Sequence, residues 1–249
     1  MNGVIVNVVA VLTGTFFGLL FGRIIPDRMR STALSGIGLA TTVIGAMMAI
    51  GGLTDLAGSH LGDYAPLVLV GSLVLGAIVG EALGIEAALE RGGHWLQNVA
   101  GRIPFLAPAK ATELGEKGHT LVEGFVTASL LFCVGAMTVL GSIQSGLGDP
   151  PTLYLKSMLD GFASIALAST LGAGVGLSII PIFIIQGGIA LAASSVEPLM
   201  TTAVIDAIRA SGGALILAIG FDLTGITRLP VGNLLPAILI AAAFGLLFG

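Results

Sequence analysis

Asp160, Gln186 and Asp222 each interrupt a run of residues that is otherwise almost wholly apolar, and these are the positions where chemistry could reside. An ionisable or amide side chain at membrane depth is costly unless it is paired or wet, so it is a functional candidate by default. An anionic oxygen there is a strong cation ligand and can change its protonation state. Asp160 and Asp222 are therefore read as sites for a coupling H+ or Na+. Gln186 sits beside Gly187 and Gly188, where a glycine pair would let backbone carbonyls line a site. Thr127 and Ser129 add hydroxyls for contact with a solute, and Glu123 enters the same stretch one turn earlier.

Each of these residues also has a purely structural reading. Asp160 follows Lys156 by four residues, the spacing of an ion pair along one helix face. Glu123 and Glu81 lie close enough to a membrane interface to be hydrated there. Asp222 is within reach of Arg228 or of headgroups, because long side chains extend along a helix toward water. Asp206 and Arg209 read as a local surface pair, and Asn7 and Asn233 as interhelical hydrogen bonds.

Other chemistries find no footing. His60, His94 and His119 fall in loops or at segment ends, away from the serines and aspartates that a hydrolytic triad would need. They also lack the spacing of a zinc motif, and no phosphate-binding Gly-Lys-Ser/Thr loop occurs. The single cysteine, Cys133, has no partner in the chain and reads as a small buried hydrophobe. There is no basic, aromatic-rich surface for nucleic acid. Asp160 and Asp222 are the one credible pair for an aspartyl protease, and their predicted depths keep them apart. The chain reads as a non-enzyme without metal or organic cofactor.

The elements that carry these residues follow from the scarcity of charge. Only 10% of the 249 residues are charged and mean hydropathy is +1.04, against roughly 25% charged in a soluble domain. VIVNVVAVLTGTFFGLLFG (4–22), LSGIGLATTVIGAMMAIGG (34–52) and FVTASLLFCVGAMTVLGSI (125–143) contain no formal charge. Each reaches the ~20 residues that a helix needs to cross a bilayer core. In lipid every backbone polar group must be satisfied internally, and long runs without polar alternation choose helices over barrel strands.

The expected fold is an all-α polytopic transmembrane bundle, one domain over 1–249. Its eight spans are placed near 3–22, 34–53, 66–84, 121–143, 156–177, 179–196, 208–226 and 231–249. The first apolar run has no basic residue before it and no small-residue cleavage signature, so it reads as a retained span rather than a signal peptide.

Basic residues collect on the cytoplasmic side of short loops. Arg23, Arg28, Arg30, Arg91, Arg102, Lys110, Lys117 and Arg228 share one side of this arrangement, leaving Lys156 and Arg209 on the other. Both termini are therefore expected outside. Segment 85–119, which opens IEAALERGGHWLQNVAGRI and holds the only tryptophan, reads as an amphipathic cytoplasmic stretch. Span six is the candidate for a broken or re-entrant segment, with Pro181 at its start, Gly187-Gly188 inside it and Glu197-Pro198 at its end.

The 38 glycines recur four apart, as in Gly14, Gly18 and Gly22, or Gly76, Gly80 and Gly84. That spacing lets helix backbones approach closely, and it leaves a homo-oligomer open. GLLFG closes both span one and span eight, following Asn7 and Asn233 respectively, and GAM recurs at 45–47 and 135–137. These echoes are what internal inverted repeats would leave.

The stretch FVTASLLFCVGAMTVLGSIQSGLGDPPTLYLKSMLDGFASIALASTLGAGVG (125–176) closely resembles a bacterial membrane-protein family known as domain of unknown function 554. The likeness extends to VGNLLPAILIA (231–241) and GVIVNVVAVLTGTFFGLLFGRIIPDRMR (3–30), and so covers essentially the whole chain. It implies a polytopic inner-membrane protein of a prokaryote and brings no substrate or site residues. The residues themselves favour secondary transport of an ion or small polar metabolite, with the lipid bilayer and that solute as partners. An oligomeric channel and a scaffold recruiting a partner through 85–119 are the alternatives.

Overall fold

The computed structural model describes residues 1–22, 26–58, 62–88, 91, 95, 121–133, 136–148 and 150–248. Segment 85–119 therefore lies outside the described residues except at 85–88, 91 and 95, and so do the three histidines.

Among the described residues the chain is helical and contains no strand. The principal helices are α1 (Asn2–Gly22), α2 (Asp27–Ala57), α3 (Ala65–Leu83), α4 (Leu121–Cys133), α5 (Ala136–Gly146), α6 (Pro151–Leu171), α7 (Ile179–Leu191), α8 (Thr202–Leu223) and α9 (Pro236–Phe248). Local chemistry sets several of their ends. Pro151 opens α6, where its missing N–H would have had no partner. The Thr201 hydroxyl accepts from the Val204 N–H at 3.3 Å and caps α8. Gly84 closes α3 in the left-handed conformation that glycine adopts at little cost.

Among the described residues, six helical stretches are long and apolar enough to cross a membrane: Asn2–Phe21, Gly38–Ala57, Gly62–Leu83, Gly174–Leu191, Thr202–Leu223 and Val231–Phe248. The pair α4 and α5 brings the number to as many as 7 if taken as one bent span. Helix α6 has the length, at 21 residues, but carries Lys156 and Asp160 and is not among the six. This is a multi-pass membrane protein.

Two expectations shift in detail. The fourth segment, expected as one helix over 121–143, consists of two helices meeting at 76°. The sixth, the candidate for a broken segment, forms an 18-residue stretch over Gly174–Leu191 that is apolar enough to span. Helix α6 also starts five residues earlier than expected, so Lys156 is a buried helix residue rather than a loop cation.

Contacts between helix ends fix the course of the chain. The Met1 ammonium donates to the Ser145 carbonyl at 3.1 Å, Arg209 pairs with Asp55 at 2.6 Å, and Gly245 packs on Val204. These define one end of the bundle. At the other end Gly174 packs on Leu121, and Gly80 on Asn233. Successive segments alternate in direction between these two ends.

The helices sort into two groups. In one, α1 packs along α6, and α4, α5 and α7 close around them; in the other, α2 packs along α8, with α9 against α3 and α8. An apolar seam joins the groups, where Leu130 meets Leu215, Ile216 and Ile219. Glycine makes the tightest contacts. A Cβ at Gly14 or Gly18 would overlap α6, and one at Gly45, Gly213 or Gly220 would overlap the facing backbone of the α2–α8 pair. Such close approach drives association where lipid removes the hydrophobic advantage of burial.

Candidate functional site

A layer of polar side chains crosses the first helix group at three helices. Asn7 on α1 donates its amide hydrogens to Asp160 Oδ2 at 3.0 Å and to Gln186 Oε1 at 3.1 Å. Lys156 Nζ bridges both carboxylate oxygens of Asp160, at 2.9 and 2.8 Å. Asn7 and Gln186 are wholly buried, and Lys156 and Asp160 are 7% and 6% exposed. Asp160 lies nine residues beyond the start of α6, about 14 Å along the helix axis. The lysine partner offered by the sequence spacing is therefore real, but the pair stands inside the protein.

The layer is incompletely satisfied. Asn7 Oδ1 and Gln186 Nε2 have no partner among the described residues, although buried amide atoms are rarely left unpaired. One turn further along α1 and α7, and two turns along α6, the surroundings turn apolar, with Val11, Phe132, Leu167 and Ile182 packed together. Cys133, the last residue of α4, lies within electrostatic range of both Lys156 and Asp160. The bend between α4 and α5 therefore falls beside the layer. Across that bend the Thr138 hydroxyl donates to the Phe132 carbonyl at 3.1 Å and satisfies a helix-end acceptor.

A second polar feature lies toward the opposite end, between the two helix groups. There a cavity of about 340 Å³ is lined by Glu123, Thr127 and Leu130 of α4, Ile219 and Asp222 of α8, and Arg228. Glu86 also lines it, and its Oε2 accepts from the Gly232 N–H at 3.1 Å. Asn233 braces this end by donating to Glu81 Oε2 at 2.6 Å and accepting from the Glu86 N–H at 2.8 Å. Three carboxylates and one guanidinium thus frame this hollow.

The candidate residues therefore fall into two sets. Asp160 and Gln186 meet through Asn7; Glu123, Thr127 and Asp222 meet around the cavity. Asp160 and Asp222 do not come together. Ser129 belongs to neither set: two residues beyond Thr127, it projects from a different helix face, where it is 5% exposed and its hydroxyl has no partner among the described residues. Gly187 is buried, and Gly188 is exposed with its carbonyl accepting from Ala192. Both lie inside the regular helix α7. The expected Asp206–Arg209 pair is replaced by Arg209–Asp55 across helices. Lys156 as a resident counter-ion and Glu86 in the cavity wall were not read as site residues. The i,i+4 spacing of Lys156 to Asp160 was the available signal for the first.

The family model described as "Protein of unknown function (DUF554)" matches residues 2–246. The chain belongs to this family. It is 32% identical over 257 residues to "Uncharacterized membrane protein YdfK" of Bacillus subtilis (strain 168), with all of both chains covered. It is also 32% identical over 240 residues to "Uncharacterized protein YqgA" of Escherichia coli (strain K12), covering 96% of this chain and 94% of that one. No solved structure matches it. The DUF554 resemblance read over essentially the whole chain thus holds, and the buried layer and the cavity lie within the matched region.

Proposed function

We propose that this DUF554 protein is a secondary transporter of an ion or small polar metabolite, working without an ATP site or an organic cofactor. The observation that carries this reading is the ion pair and two amides buried together on α1, α6 and α7, with an amide acceptor and an amide donor left unpaired. Such groups at membrane depth are tolerated where they meet a solute or take part in its passage. The cavity supplies an entrance between the helix groups, and the apolar turn around Val11, Phe132 and Ile182 closes the route to the layer. Rocking of one group on the other along the Leu130–Ile219 seam would open the layer to alternate sides.

The repeat echoes in the sequence agree with this mechanism. Asn7 and Asn233 each reach a carboxylate on a neighbouring helix, Asp160 inside the buried layer and Glu81 at the cavity end of the bundle. Two inverted halves would produce such a relation. In the bacterial inner membrane, the basic-residue bias puts the cavity end on the cytoplasmic side and both termini outside.

Purified protein in proteoliposomes, offered a panel of labelled polar metabolites and cations under an imposed Na+ or proton gradient, tests the proposal. Saturable uptake coupled to the gradient is expected, and both Asp160→Asn and Gln186→Leu should abolish it at unchanged expression. Wild-type flux in both variants would refute the assignment. Ohmic current in planar bilayers would select a channel instead, and absence of flux with a co-purifying soluble partner would select a scaffold.

A further inference from the structure

Four side-chain oxygens belong to the buried layer: both carboxylate oxygens of Asp160 and Gln186 Oε1, which accept from Lys156 or Asn7, and Asn7 Oδ1, which no donor satisfies among the described residues. Carboxylate and amide oxygens gathered in a dry site favour a cation. The cation present is the protein's own, because the Lys156 ammonium lies 2.8 Å from Asp160 Oδ2. Taking the carboxylate and ammonium out of water is costly, and only close mutual pairing offsets it. Neither can leave its partner without a replacement.

We propose, on the carrier reading above, that Lys156 holds a cation site in reserve: a small monovalent cation entering the layer displaces the Lys156 ammonium from Asp160 and completes its shell with Asn7 Oδ1. The geometry gives the ammonium somewhere to go. Lys156 stands one turn nearer than Asp160 to the start of α6 at Pro151. A lysine stem can carry its head along a helix toward the interface. Asn7 keeps its hydrogen bond to Gln186 while its free oxygen turns to the incoming ion. Charge in the layer is conserved, since one positive group replaces another. The departing ammonium becomes solvated, and Asp160 is never left buried as an unpaired anion.

Exchange of this kind makes Lys156 and the cation competitors for one carboxylate, and competition can be read on the full wild-type chain. Protein in detergent is treated with a water-soluble amine-acylating reagent in lithium, sodium, potassium or N-methylglucamine chloride, and modification at Lys156 is quantified by mass spectrometry. If the displaced state is populated at about 10% or less without ligand and becomes dominant with it, acylation rises on the order of tenfold or more in at least one alkali salt. A rate indifferent to all three alkali ions overturns the proposal. Binding of labelled sodium to Lys156→Met should also be roughly tenfold tighter than to wild type once the resident competitor is removed. The double variant Lys156→Met with Asp160→Asn should lose that binding. Equal affinity in Lys156→Met and wild type counts against the displacement. If Lys156→Met does not fold, wild-type acylation decides alone. The two readings fail separately: cation-indifferent acylation sinks the displacement, whereas wild-type uptake by Asp160→Asn and Gln186→Leu sinks the carrier.

Discussion

Thr127 and Ser129 look equivalent in the sequence, two hydroxyls in one apolar run, yet the helix turns about 200° between them and gives them different surroundings. Thr127 faces the cavity, while the Ser129 hydroxyl is buried without a partner among the described residues. An unsatisfied buried hydroxyl is destabilising. Ser129→Ala should therefore leave the unfolding midpoint in detergent unchanged or raise it, and uptake should persist. Thr127→Val should weaken apparent solute affinity with little change in midpoint. A lower midpoint for Ser129→Ala would show that a donor or acceptor engages its hydroxyl. At this scale the sequence was legible wherever a polar residue interrupted an apolar run, which is how Asp160, Gln186 and Asp222 were found. It was not legible for partners far apart in the chain. Arg209 has an acid three residues away but reaches Asp55, because its long side chain spans to α2.

Helix packing was half visible. Glycines four apart marked the α1–α6 contact at Gly14 and Gly18 and the α3–α9 contact at Gly76, with Gly80 on Asn233 just before α9. The α2–α8 contact uses another spacing: Gly38, Gly45 and Gly52 are seven apart, as are Gly213 and Gly220 opposite them. A seven-residue repeat keeps one face toward its partner over several turns, and reading for spacings of four alone passes over it. A methyl group at Gly45 would meet the Leu217 backbone, whereas one at Gly36 meets nothing within 4 Å. Gly45→Ala should destabilise the protein by about 1–3 kcal/mol through overpacking. Gly36→Ala should be neutral or stabilising by up to about 1 kcal/mol, because alanine is the better helix former. Unfolding of the two variants in detergent under one protocol checks both. Equal midpoints would mean that the α2–α8 seam yields.

At the scale of the molecule, hydropathy located the segments and their alternation, and the end-to-end contacts agree with that course. The bend between α4 and α5 was hidden, because 125–143 carries no formal charge and no proline marks the break. The grouping into two bundles was equally illegible, since it depends on which helices meet. With Cys133 replaced by Ala, single cysteines at Gly58 and Gly225 should react with a membrane-impermeant maleimide from opposite sides. In intact cells Gly58→Cys should label, and Gly225→Cys should label only after permeabilisation. The reverse pattern would invert the orientation given above.

Helix α6 bears the Lys156–Asp160 pair and, among the described residues, is the one long helix outside the set apolar enough to span. This has a consequence for biogenesis. Each such residue at the centre of a segment opposes translocon insertion by about 2.5–3.5 kcal/mol, so α6 is poorly equipped to partition into lipid as an isolated unit. Its natural chaperone is α1, already lodged in the bilayer and presenting Asn7 and a glycine-lined flank. A glycosylation-mapping reporter carrying α6 alone should be translocated into the lumen in large part, and the same reporter with α1 upstream should be integrated more often. The first helix made would then be waiting for the sixth, and the polar core would assemble during synthesis rather than after it.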